Sequence, residues 1–95
     1  MMAMAQGVEV IKQAIARDFG PVSIDEGFDS DTKGTILRFS SEGRQFEVEV
    51  SFDYDNDYAS GQVVIDLRQL GADLRASKDG RADVTREGIT LRSAA

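Results

Sequence analysis

Apolar positions along the chain follow two periods. Met4, Val8, Ile11, Ile15 and Phe19 recur at intervals of four, three, four and four, which is one stripe of an amphipathic helix. Ala5, Ala14 and Ala16 favour helix, while Gly7 weakens its first turn. Gly20-Pro21 ends it, because proline disfavours helical backbone in the residue before it. The pattern predicts a helix over about residues 4–19.

Beyond Pro21 the period becomes two. Val22 and Ile24 alternate with Ser23 and Asp25 in a first short strand, and the polar stretch 29–34 reads as a turn. Thr35 to Ser40 forms a second strand, with Leu37 and Phe39 on one face, and 41–43 is a short turn. From Arg44 to Tyr54 the alternation is strict. Phe46, Val48, Val50, Phe52 and Tyr54 interleave with Glu47, Glu49, Ser51 and Asp53, the signature of a half-buried strand with an acidic outer face. An acidic loop, 55–61, leads to a fourth strand in which Val63, Ile65 and Leu67 alternate with Val64, Asp66 and Arg68. If that strand pairs with the third, Asp66 and Arg68 neighbour Glu47 or Glu49.

Residues 67–76 fit two patterns. Leu67, Leu70 and Leu74 have helical spacing broken by Gly71, whereas Ala72, Leu74 and Ala76 alternate. Asp79-Gly80 is a hairpin signal between 74–76 and 82–84, which favours a fifth and sixth strand. After a turn at Glu87-Gly88, Ile89 and Leu91 add a last short strand. The expected architecture is α+β: one N-terminal helix packed on one face of an antiparallel meander of about five to six strands. Residues 1–95 form a single domain, with the sheet over about 22–92.

Composition narrows the chemistry. The 95 residues include no His, Cys or Trp. That removes disulfides, thiolate metal sites, thiol nucleophiles, imidazole bases and the usual serine–histidine–carboxylate mechanism. No apolar run approaches the ~20 residues of a spanning helix, and residues 1–6 lack a positively charged leader. The expectation is a cytoplasmic protein with no membrane partner. A net charge of −6 argues against direct nucleic-acid binding.

The charge is concentrated in the middle of the chain. Residues 21–60 hold ten acids against Lys33, Arg38 and Arg44, whereas 61–95 hold five acids and six bases. Of those bases, Arg75, Arg81, Arg86 and Arg92 form a recurrent series, read as solvated scatter or as partners of the acidic middle.

Three constellations stand out. Glu47, Glu49, Ser51 and Asp53 follow one another along one strand face, consecutive side chains about 6.6–7 Å apart, near the phosphate repeat of a nucleic-acid strand. Asp53, Asp55 and Asp57 have the spacing that opens a calcium loop. However, positions six and twelve of that loop would be Tyr58 and Val64 rather than Gly and Glu, so they are weak metal candidates and no cofactor is expected. Tyr58, beside these carboxylates, suits an interface anchor. Glu47 and Glu49 meet the distance for paired acid–base work, but nothing in the sequence supplies a cleft to tune them, and Lys12, Lys33 and Lys78 lack apolar flanks.

The sequence therefore points to a non-catalytic acidic binding domain, acting as inhibitor, adaptor or chaperone of a basic protein or nucleic-acid-binding protein. Its surface would be Glu47, Glu49, Asp53, Asp55, Asp57 and Tyr58. The alternatives are a nucleic-acid-mimicking decoy, a weak calcium or small-ligand module, and a homo-oligomer subunit, with a homodimer its simplest form.

Overall fold

The computed structural model describes residues 6–54 and 66–92. Helix α1 (Gln6–Phe19) turns Val8, Ile11, Ala14 and Ile15 into the core, as the stripe requires. The Gly20 N–H closes its last turn on the Ala16 carbonyl at 2.9 Å, and the chain leaves at Pro21. Strand β1 (Asp25–Phe28) begins later than the alternation of Val22 and Ile24 suggests. Those two side chains pack half-buried against the core ahead of the strand, and the ladder starts only where Asp25 meets Arg38.

Strands β2 (Thr35–Ser41) and β3 (Arg44–Val50) form a hairpin. Its two-residue turn has positive φ at both Glu42 (58°) and Gly43 (76°), the geometry that matches the twist of paired strands. Strand β3 ends at Val50, not at Tyr54. The Ser51 hydroxyl accepts a hydrogen bond from the Tyr54 N–H at 3.1 Å, and residues 52–54 are helical. A serine cap at a helix start thus overrides the alternation. The change of period leaves Phe52 exposed and Tyr54 fully buried.

Of the expected fourth strand, Val63, Val64 and Ile65 lie outside the described residues. Asp66 to Gln69 are not strand. Asp66 and Arg68 bond to each other at 2.8 Å, and β3 is flanked instead by β2 and β4.

Residues 70–76 are helix, correcting the expected fifth strand. In α2 (Leu70–Ala76), Leu70, Gly71 and Leu74 are buried, so the helical spacing prevails over Ala72/Leu74/Ala76. Asp79-Gly80 is accordingly no hairpin. The segment is docked at the end of α2, with the Arg44 guanidinium on the carbonyls of Arg75 (3.0 Å) and Ser77 (2.8 Å). From there the chain enters β4 (Arg81–Thr85) and returns through β5 (Gly88–Arg92).

The sheet order is β1-β2-β3-β4-β5. Three pairings are antiparallel, but β3 and β4 run parallel. This departs from a simple meander. The β3-to-β4 connection contains α2, and a crossover of that length is what parallel neighbours need.

One face of the sheet carries Leu37, Phe39, Phe46, Val48, Val50, Ala82 and Val84 into the core. Leu70, Leu74 and the buried face of α1 close over them. Phe19, Phe39 and Phe46 cluster with ring centroids 5.0–5.2 Å apart. The fold is α+β, with helix packed on a mostly antiparallel sheet. No described helix is long and apolar enough to cross a membrane.

Candidate functional site

Strand alternation sends every second residue of the sheet away from the helices, and register decides which of these meet. The first outward row reads Asp25, Arg38, Glu47, Arg81 across four strands, with alternating sign. Arg38 donates to one Glu47 oxygen at 3.0 Å and Arg81 to the other at 3.1 Å. The Glu47 side chain is 17% exposed. Burial pushes its pKa up, but the two guanidiniums outweigh burial and hold it below the usual range. Glu47 therefore organises the face, its charge compensated from both sides. Arg75 and Arg81 of the C-terminal basic series do bond the acidic middle, through Glu42 and Glu47.

The next row reads Ile36, Glu49, Asp83, Thr90. Here two carboxylate residues oppose each other on adjacent parallel strands. The Thr32 hydroxyl donates to Glu49 at 2.7 Å. Asp29 holds the turn that presents Thr32, accepting from the Asp31 N–H at 2.9 Å and the Thr32 N–H at 3.4 Å. The Asp31 N–H is the main cause of a lowered Asp29 pKa. Asp29, Thr32, Glu49, Ser51, Asp83 and Thr85 line an open cleft of ≈ 360 Å³. Its polar side chains all end in oxygen: three carboxylates and three hydroxyls.

Of the candidate residues read from the sequence, Glu47 and Glu49 lie outward on β3 as expected. Asp53 is displaced from their line by the helical turn. It borders a neighbouring depression with Ser51, Thr85, Arg86 and Glu87, so it leaves the strand face that Glu47 and Glu49 share. Asp55, Asp57 and Tyr58 lie outside the described residues. Among the described residues, no group of three or more acidic side chains is arranged to hold a metal ion.

Sequence reading missed Asp29, Thr32, Asp83 and Thr85. The outward position of Asp83 was available from its place between Ala82 and Val84. Its meeting with Glu49 depends on a parallel register that no local pattern reveals.

No family model, no curated protein and no solved structure matches this chain.

Proposed function

We propose that this chain is a non-catalytic acidic binding domain that docks a basic macromolecular partner, as an inhibitor, adaptor or chaperone does, through Asp29, Glu49, Asp83 and the adjoining Asp53. The observation that carries the reading is the convergence of Asp29, Glu49 and Asp83 on one open cleft whose polar side chains all end in oxygen. A surface of that composition is complementary to a lysine or arginine of a basic partner and steers its approach.

The acid–base alternative has less support. Asp18, Asp29, Glu42, Glu47 and Asp66 all have lowered pKa values, whereas a general acid at neutral pH needs a raised one.

The test is affinity capture from a cell lysate at low and high salt. It compares wild type with Glu49→Gln/Asp83→Asn and with Arg38→Gln, which uncovers Glu47. The reading expects one basic protein held by wild type at low salt, released at high salt, lost in the double variant and retained by Arg38→Gln. Equal capture by wild type and the double variant would refute it.

A further inference from the structure

The two outer strands of the sheet differ in how they treat an incoming strand. Strand β1 carries the devices that blunt an edge. It is four residues long, two of them acidic. One of these, Glu26, stands on the helix-facing side in register with Leu37 and is held there by Lys12. Pairing two copies along β1 would bring four carboxylates together.

Strand β5, Gly88–Arg92, is one residue longer, and its single charged residue, Arg92, stands at its end. It contains no acidic residue and no proline. Among the described residues it pairs only with β4. Its helix-facing positions are Ile89 and Leu91, in register with Val84 and Ala82, and Leu91 is 44% exposed.

We propose that β5 is a self-pairing edge at which a second copy of this chain joins antiparallel, about a two-fold axis at Thr90. The strand is self-complementary in that register. Ile89 of each copy falls opposite Leu91 of the other, which extends the apolar face across the junction. Thr90 faces Thr90 on the outward side, a favourable cross-strand pair. A two-fold contact of this kind closes on itself and, among the described residues, leaves only the blunted β1 as a sheet edge. Five residues a side bury less than the roughly 1,200 Å² of a tight interface, so the pairing is weak and depends on concentration. It rests on the backbone edge and apolar positions of β5 and uses none of the cleft's carboxylates.

The chain has no cysteine, so single cysteines report proximity cleanly. Opposed α-carbons in an antiparallel pair lie about 4.5–5.5 Å apart, within disulfide reach. Under mild oxidation Thr90→Cys is expected to form intermolecular disulfide at least about tenfold faster than Phe28→Cys, an exposed site on β1. Adding Leu91→Lys to Thr90→Cys is expected to abolish the difference, with circular dichroism unchanged because position 91 is at the surface. In sedimentation, wild type is expected to gain mass towards dimer on concentration to about 1 mM, and Leu91→Lys to stay monomeric. Equal rates for the two cysteines, a preference that survives Leu91→Lys, or a wild type monomeric at every concentration would each overturn the proposal.

Discussion

Asp18 and Gly71 show how a single contact positions an element. Asp18, in the last turn of α1, takes the Arg17 guanidinium at 2.9 Å and the Gly71 N–H at 3.0 Å. Arg17 is the first cause of its lowered pKa, which burial opposes and the Gly71 N–H reinforces. The approach is so close that a β-carbon on residue 71 would stand 2.4 Å from the Asp18 β-carbon. This explains a glycine inside a buried leucine stripe, where alanine would otherwise favour helix by about 1 kcal/mol. Gly71→Ala is expected to lower stability by about 1–3 kcal/mol through overpacking, read as a lower urea midpoint. The closest atom is the Asp18 β-carbon and not the carboxylate, so adding Asp18→Ala should not restore the midpoint. Recovery in that double variant would show that the polar group, not the backbone approach, sets the spacing.

Helix α2 has seven residues, far below the ~12–15 at which an isolated helix becomes even marginal in water. Leu70 and Leu74 anchor one side of it. Two arginines fix its end. Arg44, at the start of β3, bonds the carbonyls of Arg75 and Ser77. Arg75 bonds Glu42 at 2.9 Å and the Asp18 carbonyl at 2.8 Å, and lies 4.3 Å over the Phe19 ring. The β2–β3 turn, α1 and α2 are thus joined by a planar, multi-donor cation that lysine cannot imitate. Arg75→Lys and Arg75→Ala should therefore fall close together, both with a lower thermal midpoint than wild type. A lysine variant with wild-type thermal stability would reduce the contact to simple charge. This joining also explains what local sequence patterns could convey. The α1 stripe and the alternation in β2 and β3 are set by local periodicity, and so is the outward placement of Glu47 and Glu49. The end of β3 depends on a serine cap competing with that alternation. The state of 70–76 depends on which of two periods tertiary contacts reward. The meeting of Glu47 with Arg38 and Arg81, and of Glu49 with Asp83, depends on register between strands distant in the chain.

Across the whole molecule, carboxylates link stability to pH. Asp18, Asp29, Glu42 and Glu47 titrate below their usual range, and Asp66 is pulled down to about 2, chiefly by Arg68. When folding lowers a carboxylate pKa, the unfolded chain binds the proton first as pH falls. The stabilisation is then complete above the unfolded value, near 4, and disappears as pH drops through the folded one. Stability should therefore be nearly flat from neutral pH to about 5 and decline below it. Most of these groups are exposed and screened, so salt should flatten their share. Glu47 is the exception, with its side chain shielded between two strands and two guanidiniums. Glu47→Gln leaves Arg38 and Arg81 without their shared anion and should cost about 1 kcal/mol at pH 7, a modest figure because both arginines are well exposed. As pH falls, wild-type Glu47 protonates and the two proteins become electrostatically alike, so their urea midpoints should converge as pH drops below the ordinary glutamate value. Midpoints that stay parallel to the lowest pH would assign the acid loss to the other carboxylates and leave Glu47 a packing role only.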